Sequence, residues 1–343
     1  MTLTVKAVSA RSSRTAARGR RPTRTVAVVI AALLVATVLS VLVGSRPVPP
    51  VALLDENHPL HAVAAARVPR TLVALVVGAA LGLAGAGLQG LTRNPLADPG
   101  ILGINAGASF AMVLGMGLLG VSTLDGFLVL AFLGAALAMV LVHAIASLGR
   151  EGATPGRITI AGAAITAALT SWTTAALLVD RQTMEAFRFW QVGTVGGRDL
   201  TVLGTVLPFL VLGALLVALS ARRLDTLALG EDLATGLGAR LVWSRLVVGA
   251  ACALLAGGAT ALAGPIAFVG LLVPHAARSL AGPSYLGVLP LSAGLGAALV
   301  ALADTLGRVV LPPTEVQVGI MTALVGLPAF VWLLRRGRWG AGA

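Results

Sequence analysis

Long apolar runs recur along almost the whole chain, and they restrict its fold more than any other feature. Each run holds roughly twenty mostly apolar residues, the length that an α-helix needs to cross the hydrocarbon core of a bilayer. The ten runs lie near residues 26–43, 70–91, 98–119, 124–148, 158–179, 200–221, 241–262, 264–282, 286–307 and 317–335. The run at 264–282 is the weakest, because two prolines, a histidine and an arginine interrupt it. The pattern predicts an all-α integral membrane protein with about ten transmembrane helices.

Charged side chains are too scarce to cover a water-soluble surface. Of the 343 residues only 38 are charged (25 Lys and Arg together with 13 Asp and Glu), a share of 11%. Soluble domains carry about 25%. This scarcity excludes a soluble enzyme, a disordered chain and a nucleic-acid-binding domain, although the formal net charge is +12. The single cysteine, Cys252, lies inside an apolar run, where we expect it to pack as a small side chain.

The distribution of basic residues predicts how the chain is threaded through the membrane. Seven of them precede Val26, and such clusters beside a first span stay in the cytoplasm. With the segment 1–25 inside, 18 basic residues fall on the cytoplasmic side and 7 outside. An even number of spans in a membrane domain at 26–336 then returns the tail, 337–343, to the cytoplasm. A cleaved signal peptide is disfavoured, because the first run is longer than the ~7–15 apolar residues of such peptides.

The run at 70–91 carries a face of small residues. Gly78, Gly82, Gly85 and Gly87 are interspersed there with alanines. Small residues at such spacing let helix backbones approach closely inside a membrane. We therefore expect other helices to pack tightly against this one.

Three blocks carry motifs that are more specific than the apolar pattern. The first begins at Arg67-Val68-Pro69-Arg70 and ends at Arg93-Asn94-Pro95-Leu96-Ala97-Asp98-Pro99-Gly100-Ile101-Leu102-Gly103. The second is Gly264-Pro265-Ile266-Ala267-Phe268-Val269-Gly270-Leu271-Leu272-Val273-Pro274-His275, followed by Arg278. The third contains Ala303-Asp304, Arg308, Glu315, Val318-Gly319 and Gly326-Leu327-Pro328-Ala329-Phe330. In their order and spacing, these blocks resemble the membrane permeases of ABC importers for iron–siderophore, haem and cobalamin complexes.

The resemblance covers about residues 26–336 and implies the type II fold of ABC importer permeases. It implies a second permease subunit, identical or paralogous, with the pathway between the two copies. It further implies two ATP-binding subunits inside and a substrate-binding protein outside. ATP and Mg²⁺ belong to the ATP-binding subunits, because the only lysine, Lys6, cannot complete a Walker A motif. We expect no cofactor on this chain, and a ferric siderophore as cargo, with cobalamin and haem as alternatives.

A proline-rich loop follows the second run on the predicted cytoplasmic side. Asn94-Pro95 and Asp98-Pro99 break the helix, since proline disfavours helical geometry in the residue before it. One interpretation is a simple reversing loop in which Asp98 caps the next helix. The resemblance implies instead that Asn94 and Leu96 help to close the cytoplasmic end of the pathway. The motif positions to which we assign a structural role are Pro95, Asp98, Pro99, Gly103, Pro274, His275, Asp304 and Pro328.

Three arginines lie at the predicted outer ends of two runs, where basic residues are disfavoured. Arg67 and Arg70 lie at the outer end of the second run, and Arg308 lies at the outer end of the ninth. Such arginines are usually solvated at the membrane edge. The resemblance implies that they dock onto acidic residues of the substrate-binding protein, a role that suits the planar two-point fork of arginine.

The segment 222–240 is the longest polar interruption between the late runs. Leu229, Leu233 and Leu237 recur every four residues, which predicts an amphipathic helix with one apolar stripe. The glycines of the segment, Gly230, Gly236 and Gly238, should break this helix into two pieces. One interpretation is a helix lying on the lipid surface. The resemblance favours contact with an ATP-binding subunit, through residues that also include Glu231.

Two ionisable residues near spans invite a chemical role, but simpler interpretations are favoured. Asp304 could serve a proton relay, yet it stands four residues before Arg308, the favourable order for a helical ion pair. No second ligand lies near His275 in sequence, so we expect no metal site there. An ion-coupled secondary transporter would need acids within its spans, and besides Asp304 almost none is found.

Gln317 and Thr194 depart from the family pattern, which has Pro and Ser there.

Overall fold

The structure is a computed structural model that describes residues 22–100, 103–121, 123–148, 154–238 and 240–335. Most of the predicted basic segment 1–25 and the whole tail 337–343 lie outside these ranges. Within them the chain folds into α-helices and a short 3-10 turn at Pro50–Leu53, with no β-strand. The helices are α1 Pro22–Leu42, α2 His61–Thr92, α3 Ile104–Leu119, α4 Leu124–Ser147, α5 Pro155–Val179, α6 Arg181–Gln191, α7 Leu200–Leu219, α8 Ala221–Ala228, α9 Glu231–Gly236, α10 Leu241–Ala263, α11 Val269–Ala281, α12 Tyr285–Val310 and α13 Val318–Arg335.

Every predicted apolar run contains a helix, but the helices differ in length. Within the described ranges seven are long and apolar enough to cross a membrane: Thr23–Leu42, His61–Thr92, Asp125–Ser147, Gly156–Val179, Leu200–Leu219, Leu241–Ala263 and Tyr285–Val310. Ile104–Leu119 and Val318–Trp332 are apolar but shorter, and α11 has only 13 residues. The all-helical membrane architecture is therefore confirmed, while the count of ten spans stays a prediction.

Helix α2 lies in the middle of the bundle and packs against α10, α11 and α12. The glycines of its small face are the contact points, as the sequence predicts. A Cβ atom on Gly78 would stand 2.2 Å from the carbonyl oxygen of Gly296, and one on Gly82 would stand 2.2 Å from that of Ser292. A Cβ on Gly85 would reach 2.0 Å from the oxygen of Gly270. The backbones of α11 and α12 thus approach α2 more closely than a residue with a Cβ atom at these three positions would permit.

The weak run at 264–282 is not one continuous helix. Residues 264–268 are non-helical, and α11 begins only at Val269. Gly264 and Phe268 both have positive φ angles, of 73° and 68°. Non-helical backbone at membrane depth is tolerated only where protein covers it. That cover comes partly from the segment after α6, since the amide of Thr194 donates to the carbonyl of Ala263 at 2.7 Å.

Helices α3, α4 and α5 form a second group beside this centre. Gly107 of α3 and Gly134 of α4 bring their backbones together, since a Cβ on either would lie within 2.3 Å of the other's carbonyl oxygen. Helices α1 and α5 are the most peripheral of the seven long helices, with 22% and 17% of their apolar windows buried. Their outer faces are therefore available to lipid or to another subunit.

Candidate functional site

A cluster of ion pairs joins α2, α12 and the loop before α13 at the predicted outer end of the bundle. Its members, here called the outer-end cluster, are Arg67, Arg70, Asp304, Arg308 and Glu315. Arg70 donates to Asp304 in two-point fashion, from Nε at 2.9 Å and from Nη2 at 2.8 Å. Its Nη1 donates to Glu315 Oε2 at 2.7 Å. This guanidinium therefore ties α2 to residues that lie 234 and 245 positions later in the chain.

The carboxylate of Asp304 also pairs with Arg308 one turn later on α12. Arg308 Nε lies 3.2 Å from Asp304 Oδ2, and both side chains are 2% exposed. Arg308 Nη2 donates to the hydroxyls of Ser40 and Thr305, each at 3.1 Å. The interpretation of Asp304 as the partner of Arg308 is confirmed. A single buried carboxylate thus balances two arginines.

Arg67 satisfies the end of helix α1. Its guanidinium donates to the carbonyl oxygens of Val41, Leu42 and Arg46, the closest at 2.6 Å. The last carbonyls of a helix have no partner within the helix, and a cation there also suits the helix dipole. This side chain holds the turn between α1 and α2 in place.

Burial changes how the three predicted docking arginines are interpreted. Residues Arg67 and Arg308 are 6% and 2% exposed, so the expectation of arginines facing outward at the membrane edge is not met for them. The physical reason is that a charge in an apolar surrounding must find its partners inside the chain. Arg70 keeps a side-chain contact that reaches the surface, because the side chain of its partner Glu315 is 36% exposed. The docking role itself stays a prediction.

The proline-rich loop between α2 and α3 is built from two side-chain turns. The amide of Leu96 donates to Asn94 Oδ1 at 2.9 Å, and the amide of Gly100 donates to Asp98 Oδ1 at 2.8 Å. Helix α3 begins after Gly103, which has a φ of 80° and supplies no side-chain cap. The alternative in which Asp98 caps the next helix is therefore wrong, because its carboxylate closes its own turn instead.

Two loop residues differ in how far they face solvent. Leu96 is 40% exposed, whereas Asp98 is largely covered. Burial raises the pKa of Asp98 to about 6, and the hydrogen bond from Gly100 only partly offsets this. The loop therefore presents an apolar side chain outward and keeps a carboxylate that is sensitive to pH beneath it.

A polar link that the sequence interpretation missed connects α2 to α11. Gln89 Nε2 donates to the carbonyl oxygens of Gly270 and Leu271 at 3.1 and 3.2 Å. Arg278 in turn donates to Gln89 Oε1. The sequence does contain an indication of this link, because Gln89 is a single amide in a run of glycines and alanines. A polar group within a span must find hydrogen-bond partners. The link holds the segment with Pro274 and His275 against the central helix.

No metal-binding group is evident near these residues. Within the described part of the chain, no three or more His, Cys, Asp or Glu side chains gather closely enough to hold an ion. His275 is half-buried on α11, where the neighbouring Pro274 is buried. Both lie on α11, which packs on α2, and the structural role assigned to them stays a prediction.

The segment after α7 forms two short helices, as its glycines predict. Helix α8 ends at Ala228, and α9 begins after Gly230, whose φ is 106°. The predicted apolar stripe is exposed: the exposed fractions are 57% for Leu229, 63% for Leu233 and 70% for Leu237. We call these three residues the leucine stripe. Its exposure in the single chain leaves an apolar surface that lipid or another protein can cover.

Helix α8 is attached to the start of α12. Leu224 and Leu227 of α8 are buried against the bundle. The carboxylate of Asp225 accepts hydrogen bonds from the Tyr285 amide at 2.7 Å and the Ser284 hydroxyl at 3.0 Å. An acidic group at a helix N-terminus is favourable, because free amides and the helix dipole point at it. The segment with the leucine stripe is thereby joined to the helix that carries Asp304 at its other end.

Seven apolar helices long enough to cross a membrane make the described part of the chain a multi-pass membrane protein. The chain belongs to the FecCD transport family, whose model matches residues 32–336. This family is one of transport permeases, not of enzymes.

Curated relatives and a solved structure agree with this assignment. The chain is 45% identical over 271 residues to the probable siderophore transport system permease protein YfiZ of Bacillus subtilis, covering 79% of this chain and 81% of that one. It is 43% identical over 323 residues to the ferric enterobactin transport system permease protein FepD of Escherichia coli, covering 92% and 96%. A solved metal-chelate type ABC transporter in an inward-facing conformation matches with a TM-score of 0.80 and 25% identity, covering 92% and 99%.

Proposed function

We propose that this chain is the membrane subunit of an ATP-driven importer for ferric siderophores. The observation that carries the proposal is the 43% identity to the ferric enterobactin permease over 92% of the chain. Ten spans in a bacterial inner membrane fit the ten apolar runs of the sequence. Both termini are proposed to lie in the cytoplasm, which fits the excess of basic residues on that side. Haem and cobalamin are the alternative cargoes.

The pathway is proposed to run between two permease subunits, along the exposed face of α5. This helix is the least apolar and least buried of the seven long ones. Thr170, Ser171 and Thr174 are exposed on it, and the hydroxyls of Ser171 and Thr174 donate to carbonyls one turn back. Hydroxyls satisfied in this way tolerate either water or an apolar neighbour. If a partner subunit faces α5, the pathway between them has a weakly polar lining. A large complex can move along such a lining without binding tightly to it.

At the cytoplasmic end, Leu96 and Asn94 are proposed to help close the pathway. The leucine stripe is the proposed contact for an ATP-binding subunit, with Gly230, Glu231 and Gly238 in the same segment. ATP and Mg²⁺ are bound by that subunit. Support comes from the exposed leucines and from the connection of α8 to α12 through Asp225. An ion-coupled transporter is disfavoured, since Asp304 is held between Arg70 and Arg308.

A substrate-binding protein is proposed to dock at the outer-end cluster, through Arg70. An acidic side chain of the binding protein can replace Glu315 at the exposed edge of this guanidinium. Arg67 and Arg308 contribute by fixing the ends of α1 and α12 around it.

Replacing Glu315 with Gln tests this docking directly, because it removes the negative charge that competes for the exposed edge of Arg70 and leaves Asp304 unchanged. We expect Glu315→Gln to bind the cognate binding protein several-fold more tightly, measured by surface plasmon resonance on permease in nanodiscs. Asp199→Asn, at an exposed acid near the start of α7, is the charge-matched control and should leave binding nearly unchanged. Equal affinities for Glu315→Gln and the native chain would remove Arg70 from the docking site.

Cargo is tested by competition for uptake in cells that have no other siderophore permease. Uptake of a labelled ferric siderophore should depend on this chain and should resist excess haem or cobalamin. No siderophore uptake, together with uptake of labelled haem or cobalamin that depends on this chain, would assign the chain to the alternative cargo.

A further inference from the structure

A groove on the side of the bundle has no part in the functions proposed above. It lies between α4 and α10, with contributions from α2 and α5, and has a volume of about 490 Å³. This size is within the ~300–1,000 Å³ of pockets that hold organic ligands. Among the described residues that line it, all are apolar except His143 and Arg245. We call it the α4–α10 groove.

The length and position of the groove match one leaflet of a bilayer. It extends along α4 from Phe132 to His143 and along α10 from Leu254 to Arg245. At 1.5 Å per residue these stretches are about 16 Å and about 14 Å long. Half of a hydrocarbon core of ~30 Å is about 15 Å. Because both ionisable residues lie at the predicted cytoplasmic ends of their helices, the apolar part reaches from there towards the bilayer midplane.

The charge at the mouth of the groove suits an anionic headgroup. Arg245 is half-buried, and a guanidinium has five N–H donors, so it can bind a phosphate while it keeps contacts within its own chain. No acidic residue is among the described residues that line the groove. Two residues before Arg245 on the same helix, Trp243 is 59% exposed, as is typical of aromatic side chains at the depth of the membrane interface.

We propose that the α4–α10 groove binds an acyl chain of an anionic phospholipid from the cytoplasmic leaflet, with its phosphate at Arg245. The acyl chain lies along exposed apolar residues that line the groove, such as Val140, Leu246 and Ala250. His143 lines the same mouth and adds a second polar contact. The lipid thereby fills the space between α4 and α10 and fixes their spacing.

Native mass spectrometry of the full chain in detergent, with added phosphatidylglycerol or phosphatidylcholine, tests the proposal. We expect phosphatidylglycerol to be retained about five-fold better, since an arginine near anionic lipid contributes about 1 kcal/mol. Arg245→Gln should abolish this preference. Arg223→Gln, which removes an exposed charge on α8 outside the groove, should preserve it. Ala250→Leu should lower retention of both lipids, because its side chain occupies the acyl-chain position.

Three results would overturn the proposal. The first is equal retention of the two lipids by the native chain, and the second is a preference that survives Arg245→Gln. The third is an Ala250→Leu variant that retains lipid normally but loses self-association, which would assign the groove to a second copy of the chain. Melting temperatures of both variants close to the native value establish that the effects are local.

Discussion

At the residue scale, the outer-end cluster depends on one carboxylate. Asp304 faces Arg70 from α2 and Arg308 from its own helix. Ion pairs removed from water add little stability as whole units, but loss of one partner leaves the other charge buried and uncompensated. The cluster therefore acts mainly to specify how α1, α2 and α12 meet.

Asp304→Asn should destabilise the protein strongly. The substitution keeps the shape of the side chain but leaves two arginines without their shared counter-charge, which costs about 3–5 kcal/mol for a buried pair. Thermal unfolding in detergent, followed by intrinsic fluorescence, measures the effect. Glu315→Gln removes the exposed partner of Arg70 and should cost no more than about 1 kcal/mol. Similar losses for both variants would contradict the distinction drawn here between the buried and exposed pairs.

Asp98→Asn should stabilise the protein at neutral pH and change its pH dependence. Burial raises the pKa of Asp98 to about 6, above the ~3.9 of an unfolded chain. The folded state therefore holds the proton more tightly, and stability falls as the pH rises from about 4 to about 6. Asparagine can keep the hydrogen bond from Gly100, so the variant should gain about 1–2 kcal/mol at pH 7 and lose this advantage near pH 4.

Exposed Asp55 is the matched control, because it accepts a hydrogen bond from the Asn57 amide in the same kind of turn. Asp55→Asn should change the melting temperature little. A native chain that is more stable than Asp98→Asn at pH 7 would contradict the assignment of a buried, costly carboxylate.

At the element scale, close contact between helix backbones organises the bundle. Gly78, Gly82 and Gly85 occupy one face of α2, and each meets a backbone carbonyl of α11 or α12. In a membrane, such contacts replace the hydrophobic driving force that lipid does not provide. Side chains larger than glycine would separate these helices.

Gly85→Ala should therefore destabilise the protein, although alanine normally favours a helix. The added methyl group would lie 2.0 Å from the carbonyl oxygen of Gly270, and such overpacking costs about 1–3 kcal/mol. Gly204→Ala on α7 is the control, since a Cβ there meets nothing within 4 Å. It should be neutral or stabilising by up to about 1 kcal/mol. Equal melting temperatures for the two variants would contradict close packing of α2 on α11.

Leu233→Ser should weaken contact with an ATP-binding subunit and leave folding intact. Leu233 is 63% exposed, so a polar replacement removes little packing within the chain. We expect several-fold less ATP-binding subunit to co-purify and a similar loss of uptake. Leu54→Ser, 88% exposed at the predicted outer end, should have no such effect. Normal co-purification of the Leu233→Ser variant would favour a helix that lies on lipid.

The elements of this fold could be predicted from sequence because they depend on local patterns. Apolar length predicted the long helices but not α6, glycine spacing predicted the small face of α2, and the four-residue spacing predicted the pair of Asp304 with Arg308. Contacts between distant parts of the chain could not be found in this way. The bonds from Arg70 to Glu315 and from Arg278 to Gln89 join residues 245 and 189 positions apart. Nothing local in one sequence marks such partners, and burial of Arg67 depends on the same tertiary packing.

At the scale of the whole molecule, α12 connects the two ends of the protein. Its first residues are held by Asp225 of α8, and its last turns carry Asp304 and Arg308. With 26 residues it is about 39 Å long, enough to cross the bilayer. Movement of α8 by an ATP-binding subunit would act on this helix, and the outer-end cluster lies at its far end.

Transport in proteoliposomes tests this account most directly. The chain is reconstituted with its ATP-binding subunits and supplied with its binding protein and a labelled ferric siderophore. We predict that the siderophore accumulates inside the vesicles only under two conditions. ATP and the ATP-binding subunits must be on the cytoplasmic side of the chain, and the binding protein must be on its outer side. Uptake that is equally fast without the ATP-binding subunits would contradict the account.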